Sequence, residues 1–494
     1  MRRTVIAFTV VGIICLSIIA ACFLFKSKQD GRASSVSYSG QTSVVTESGS
    51  DSAPGGSGTP GTAITGKTPS TDGSKTPLTA PVTSRETEPV TAATERPTNA
   101  TLTAPSTGTV SSSPVTEPFT NTSASIPVTD SLPAVTEPVI TEPADPDTVR
   151  KIEEIADKYN AVGVQVAIIK EGKLYQTVNG GWAVQNESEV TDGTLFKVAS
   201  LSKLNILLTA VKMKEAGMID LTSPLSVYWN ANITKTVTLH DIFTHTSTMR
   251  TSPGYKSTAA ATLKQIQSSS TYFGGKIGDP GVWTYNTYAF GIAGATLEMA
   301  LGYNFEDYAA EYIYSLTGIG ATYYPSSSAG DGAFVAALYD RDHKITKTVQ
   351  EALAVKKAEP GAGASQFGGG LYASASDIAK MIAILANDGI YNGVRILSPE
   401  SVSEIEERLF TVSEGDHTFD QALTLRYKEG LYGTDGLYYH TGNSQGMLSL
   451  ACYDPETRNG VVVITTGAKQ TKDSQGVYSV CSEIARFIYT ELKG

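Results

Sequence analysis

From about Gly31 to Asp147 the chain is dominated by Ser, Thr, Pro and Gly, and this stretch limits how much of the 494 residues can pack into a core. With almost no aromatic residues it offers too little apolar surface to offset the entropy of ordering, so it reads as an extended stalk. Thr-Glu-Pro recurs at Thr87, Thr116, Thr136 and Thr141, and the prolines favour polyproline backbone. As a loose coil the stalk spans on the order of 60 Å, and drawn out it reaches about 350 Å, enough to carry a domain into or through a cell wall. A spacer with no specific partner is the simpler reading. Three regions follow: 1–30, 31–147 and a folded unit over 148–494.

Thr4 to Phe25 is an uncharged apolar run of 22 residues. At ~1.5 Å per residue it is long enough to cross a ~30 Å hydrocarbon layer. Arg2 and Arg3 precede it, and Lys26, Lys28 and Arg32 follow, so flanking charge alone does not orient it. The expected placement is a single-pass cell-membrane anchor with the folded unit outside the cell. Ile19-Ala20-Ala21-Cys22 also resembles a lipoprotein signal, in which Cys22 would be lipidated after cleavage. Phe23-Leu24-Phe25 continues the apolar run where a processed signal turns polar, which favours the uncleaved anchor. Either version tethers the protein.

Cys452 and Cys481 are the two cysteines of the folded unit; a bond between them is open, and two buried thiols are the preferred reading. No Cys-x-x-Cys pair and no zinc-ligand spacing among the five histidines points to a metal, and no cofactor is implied. A net charge of -11 argues against nucleic acid as a partner.

The folded unit opens with a helix expected over Thr148–Tyr159, where Ile152, Ile155, Ala156 and Tyr159 repeat at helical spacing. Val164–Lys170 and Lys173–Asn179 flank the tight-turn pair Glu171-Gly172 and read as a hairpin. Gly446–Tyr453 and Val461–Thr466 read as a second antiparallel pair, with Asn459-Gly460 as its turn. A last helix is expected from about Gly476 to Leu492. Strands at both ends with helices between them predict an α+β domain whose antiparallel sheet is completed by both termini, flanked by helices, with a mostly helical middle.

Ser200-Leu201-Ser202-Lys203 places a nucleophile and a base one helical turn apart. Residues at i and i+3 share a helix face, so Lys203 can take the serine proton if burial or a neighbouring cation lowers its pKa from ~10.4. Leu204, Leu207, Leu208 and Val211 form an apolar stripe behind it, predicting a helix buried on one side with Ser200 at its N-terminus. The bland alternative is a capping serine followed by a solvated lysine. A second pattern, Gly442-Asn443-Ser444-Gln445-Gly446, has the form of a nucleophile elbow, but Met447–Tyr453 reads as strand where an elbow requires helix. No histidine follows Ser444 to complete a triad.

His440-Thr441-Gly442 together with Ser200-x-x-Lys203 resembles the serine β-lactamase superfamily, which includes class C β-lactamases, D-alanyl-D-alanine carboxypeptidases and penicillin-binding proteins. The resemblance covers about 155–490. It is also carried by Thr194-Leu195-Phe196, Gly217-Met218-Ile219-Asp220-Leu221, Leu239 to Ser247, Gly369 to Asp377, and Ile396-Leu397-Ser398-Pro399-Glu400. It implies a β-lactamase/transpeptidase-like fold and a Tyr-x-Asn motif, here Tyr285-x-Thr287. By resemblance Ser200 attacks a carbonyl, Lys203 and Tyr285 share base and acid duties, and the backbone N–H groups of Ser200 and Asn443 form the oxyanion hole. The same resemblance puts His245 in a structural turn away from the nucleophile.

Two departures concern substrate binding. The relatives' lysine is replaced by His440, which at an unperturbed pKa of ~6.5 is a weaker carboxylate anchor, although Thr441 can still hydrogen-bond one. Thr287 replaces an asparagine amide that holds an acylamide side chain in relatives. The leading expectation is a surface hydrolase acting through an acyl-enzyme on D-Ala-D-Ala-type wall peptides, a small-molecule or peptide acyl substrate. A family esterase or amidase comes next, then a β-lactamase. The non-enzyme alternative is a penicillin-binding sensor or wall-associated module.

Overall fold

Asp145 opens the first element: its carboxylate accepts from Thr148 N (3.2 Å) and Pro146 occupies the first helical position. Helix α1 therefore runs Pro146–Lys158, two residues earlier than the apolar spacing predicts. The computed structural model describes residues 143–492, apart from 252, 253, 255, 257 and 329–333. The predicted anchor and nearly all of the predicted stalk lie outside the described residues. Among the described residues, no helix is long and apolar enough to cross a membrane.

The strands in chain order are β1 (Gly163–Lys170), β2 (Lys173–Val184), β3 (Ser188–Glu189), β4 (Thr194–Lys197), β5 (Phe334–Val335), β6 (Leu338–Tyr339), β7 (Ile345–Lys347) and β8 (Tyr372–Ala373). They continue with β9 (Ile390–Tyr391), β10 (Val394–Arg395), β11 (Phe410–Glu414), β12 (His417–Gln421), β13 (Arg426–Glu429), β14 (Gly436–Ser444), β15 (Met447–Tyr453) and β16 (Gly460–Thr466). Nine of them form one sheet in the order β11-β12-β13-β14-β15-β16-β1-β2-β3. β1 lies antiparallel to β16, so the two ends of the folded unit meet in the sheet as its α+β pattern predicts.

Alternation along β1 divides its side chains between two cores. Val164, Val166 and Ile168 pack with α1 and the last helix, α6 (Ser479–Glu491), whereas Ala167 and Ile169 face the helical layer. That layer contains α2 (Ser202–Glu215), α3 (Thr287–Leu301), the short α4 (Ala364–Phe367) and α5 (Ala375–Ala386). Cys452 and Cys481 lie in the α6 core as buried free thiols. Burial pushes the Cys452 thiol up to about 12.

Two local expectations are corrected. Asn459-Gly460 is not a two-residue turn: Tyr453 pairs with Gly460 across a six-residue link, 454–459. Asp454 turns the chain earlier, its Oδ1 accepting from Glu456 N (2.9 Å) and Thr457 N (3.3 Å), and Gly460 is already strand. Nor is α2 buried on one side only, because every residue from Ser202 to Val211 is buried. The helix runs through the middle of the domain, and its polar residues find partners there: Tyr314 Oη donates to Asn205 Oδ1 at 2.7 Å and Thr209 Oγ1 to Asn205 O at 2.8 Å.

Gln165, 1% exposed on β1, ties the sheet to the helical layer. Its Nε2 donates to Thr191 O (2.7 Å) and its Oε1 accepts from Ala375 N at the start of α5 (2.6 Å). Gln165→Leu strands the buried Ala375 N–H, whereas Thr191 O keeps its bond from Thr194 N (3.0 Å). The expected loss of stability is about 1–3 kcal/mol, read as a lower urea midpoint at unchanged slope.

Candidate active site

The segment that carries Ser200 is held in a strained turn. After β4, Val198 N donates to Leu371 O (2.9 Å), and Ala199 takes a left-handed φ of 48° in the single 3₁₀ turn Ala199–Leu201. Ser202, fully buried, staples this turn: its hydroxyl donates to Ala199 O and accepts from Leu371 N at 3.0 Å. Ser200 thus sits half-buried in the turn just before α2, and Lys203 lies one residue inside the helix with no exposure.

Lys203 Nζ has three protons and three acceptors: Ser200 Oγ at 3.0 Å, Thr287 Oγ1 at 3.2 Å and Gly368 O at 2.8 Å. The Tyr285 hydroxyl lies 2.7 Å from the same Ser200 oxygen, and its ring centroid is 5.1 Å from Nζ. Burial lowers the pKa of the Lys203 ammonium. Burial also works to raise the Tyr285 phenol, but the Lys203 charge, the hydrogen bonds to Ser200 and Lys203, and Arg426 together leave it below 10. Both groups therefore give up a proton more readily than they would in water.

Tyr285 is aimed by the residue that follows it. Asn286 caps α3 by accepting from Ala289 N (3.0 Å), while its Nδ2 donates to Met249 O (2.6 Å). His245 Nδ1 accepts from Asn286 N (3.1 Å), and its ring lies 4.6 Å from that of Tyr285. His245 therefore packs against the tyrosine and holds the backbone of its loop.

β14 brings the remaining candidates in. Ser444 pairs with Met447 around Gln445-Gly446, whose φ angles of 53° and 81° make a primed turn; the elbow-like pattern is a hairpin tip. From that closing pair the alternation of an antiparallel ladder leaves Thr441 and Asn443 with their N–H groups pointing away from β15. β13 pairs only as far as Tyr439, so beyond it the edge of β14 is free and faces the Ser200 turn. Gly442 allows close approach, since a Cβ there would lie 2.9 Å from Val198 O and 3.3 Å from Ser200 N. The Asn443 side chain turns to the other face, where Nδ2 donates to Tyr478 Oη at 2.8 Å.

The two departures take definite form. The Thr287 hydroxyl is engaged by Lys203. His440, 2% exposed, donates Nδ1–H to Thr441 O (2.8 Å). Burial first, then the charges of Lys203 and Arg426, hold its pKa well below the unperturbed value of ~6.5 taken from the sequence, which makes it a weaker anchor still. The cation missed by sequence reading is Arg426 on β13. Its guanidinium carbon lies 4.2 Å from the Phe419 ring centroid and 5.8 Å from that of Tyr285, and Nη1 pairs with Glu414 at 3.1 Å. Nothing in its local sequence marks it, because only strand order brings it here. Among the described residues, no group of three or more His, Cys, Asp or Glu is placed to hold a metal.

An antiparallel sheet closed by both termini, with a Ser-x-x-Lys pair entering a buried helix beside it, defines the serine β-lactamase-like class of fold. The Beta-lactamase family model matches residues 148–479, and the chain belongs to that family of serine hydrolases. Protein Rv1367c of Mycobacterium tuberculosis (strain ATCC 25618 / H37Rv) is 23% identical over 309 residues, 54% of this chain and 73% of that protein. The octameric penicillin-binding protein homologue from Pyrococcus abyssi superposes with a TM-score of 0.56 at 21% identity, covering 70% of this chain and 77% of that one. A β-lactamase from Sulfitobacter sp. EE-36 gives 0.54 at 17%, covering 70% and 99%.

The histidine shifts have a sign. Burial and nearby cations lower both His245 and His440, so between the unfolded value of ~6.5 and the lower folded value the unfolded chain binds more protons. Stability is retained above pH ~6.5 and is lost as pH falls, by up to about 1.4 kcal/mol per unit for each histidine. Their imidazole NMR signals should stay at neutral positions from pH 8 to 5.

Proposed function

We propose that this chain is a tethered hydrolase that forms an acyl-enzyme on Ser200 and acts on D-Ala-D-Ala-type wall peptides. The observation that carries the reading is the convergence of Lys203 Nζ and Tyr285 Oη on one serine oxygen, at 3.0 and 2.7 Å. With its three protons donated, Lys203 acts as an ammonium that favours a tyrosinate at its side. Tyr285 then takes the Ser200 proton as Oγ attacks the carbonyl carbon, and returns it to the leaving group as the C–N or C–O bond breaks. The N–H groups of Ser200 and Asn443 meet the oxyanion. Water attacks the ester by the reverse use of Tyr285, releasing the acid and restoring Ser200.

A wall-peptide substrate presents a carboxylate, and the fixed cation beside Tyr285 is Arg426 rather than the neutral His440. This favours carboxylate recognition from β13, with Thr441 as a second donor. The apolar run and the stalk read from the sequence support a tether at the cell surface. A family esterase or amidase is the second reading, favoured by the loss of Thr287 to Lys203, which removes one grip on an acylamide side chain. The penicillin-binding homologue among the structural neighbours makes penicillin a rational acyl donor to try.

Incubating the full chain with a fluorescent penicillin, a D-Ala-D-Ala peptide and a p-nitrophenyl ester, followed by intact mass, tests this. A covalent adduct or turnover that vanishes in Ser200→Ala is expected; no adduct and no hydrolysis with any donor would sink the reading. Tyr285→Phe should slow acylation by about 10²–10⁴-fold. Arg426→Gln should raise KM for the carboxylate-bearing peptide by roughly tenfold while leaving the neutral ester within about threefold; equal effects would remove Arg426 from recognition.

A further inference from the structure

The two oxyanion donors in the proposed mechanism belong to separate segments, the Val198–Leu201 turn and the tip of β14. Among the described residues no backbone hydrogen bond joins them: Val198 N goes to Leu371 O and β14 pairs with β13 and β15. Side chains make the connection. On the buried side Ser449 Oγ, opposite Gly442, donates to Val198 O at 3.4 Å. At the tip, Lys197 Nζ, three residues before Ser200, donates to Gln445 Oε1 at 3.0 Å, two residues after Asn443.

Gln445 is a junction of three segments. Its Nε2 donates to Thr346 O (3.1 Å) and its own carbonyl accepts from Thr346 Oγ1, which ties the tip to β7. Gly446 packs so tightly on β6 that a Cβ there would lie 1.9 Å from Tyr339 O. These contacts hold the tip against the β6–β7 hairpin. Lys197 holds it against the strand that leads to Ser200.

We infer that Lys197 is a positioning residue, whose bond to Gln445 sets the distance between the Ser200 and Asn443 N–H groups; the inference rests on the acyl-enzyme reading of Ser200. The cost of keeping a cation here supports a role for it. Burial, and the like charge of Lys347, lower the Lys197 pKa, and among the described residues no carboxylate lies within ion-pair distance of its ammonium. A donor whose placement slips by about 1 Å loses up to roughly 100-fold in rate.

The test uses the full chain as Lys197→Met, Lys197→Arg, Gln445→Ala and the Lys197→Met/Gln445→Ala double variant. Acylation by a p-nitrophenyl ester is measured in single turnover, and deuterium exchange is followed in peptides spanning 438–450. Lys197→Met should acylate about tenfold more slowly at a KM within about threefold, and Lys197→Arg should recover most of the rate. The double variant should be no slower than the slower single one, and exchange should rise in the hairpin peptides of Lys197→Met alone among the lysine variants. A wild-type rate in Lys197→Met, or multiplying losses in the double variant, would overturn the inference. If the wild-type chain accepts no acyl group, the acyl-enzyme reading fails, and the tether is then judged on exchange: unchanged hairpin exchange in Lys197→Met refutes it.

Discussion

The constraint on which the rest of the site depends is one buried ammonium. Lys203 has no exposed surface, and a cation removed from water is tolerated only with its protons donated. Its three acceptors come from the nucleophile turn, the first residue of α3 and the loop after α4, so these segments must converge on one point. The glycines around them answer to that convergence. A Cβ at Gly368 would lie 2.3 Å from Thr287 O, and one at Gly294 would lie 2.6 Å from the Phe367 ring. The packing of α3 on α4 and the chemistry of Ser200 therefore have a common cause.

The sheet supplies what the helices cannot. β14 lies inside the nine-stranded order, yet β13 ends its pairing at Tyr439 and leaves the last turns of β14 with one bare edge inside the molecule. Bare strand edges invite pairing, and this one is covered by the Ser200 turn. Glycine at 442 brings the edge close, and the primed turn at Gln445-Gly446 determines which N–H groups face the serine.

Features confined to one element were legible in the sequence. Ser200 and Lys203 share a helix face at i and i+3, both terminal hairpins showed β-rich runs, and the elbow-like pattern at Ser444 could be rejected because a strand follows it. The register of Asn459-Gly460 was not legible, since an Asx turn at Asp454 competes with it and wins. The full burial of α2 was not legible either: Lys203, Asn205 and Thr209 look like a solvated face until partners such as Tyr314 are brought to them by the fold. Arg426 and Lys197 lie further still from any sequence signal. Each matters through a neighbour on another segment, and neither has a local pattern that a cross-strand contact would leave.

Charge explains why a histidine at 440 is compatible with the rest. Lys203 and Arg426 already act on Tyr285, and burial first, then both cations, lower the pKa of His440 and His245. A lysine at 440 would place a third cation among buried groups, raising the cost of the Lys203 ammonium and driving the phenol lower still. With a neutral imidazole the pocket keeps two cations, and in the proposed mechanism Arg426 is the one that meets a substrate anion. Phe419 and Glu414 fix the orientation of its guanidinium. In the proposed mechanism the anion-binding task has thus moved from β14 to β13, to the neighbouring strand, and selectivity among acyl donors depends on where their carboxylate lies relative to that strand.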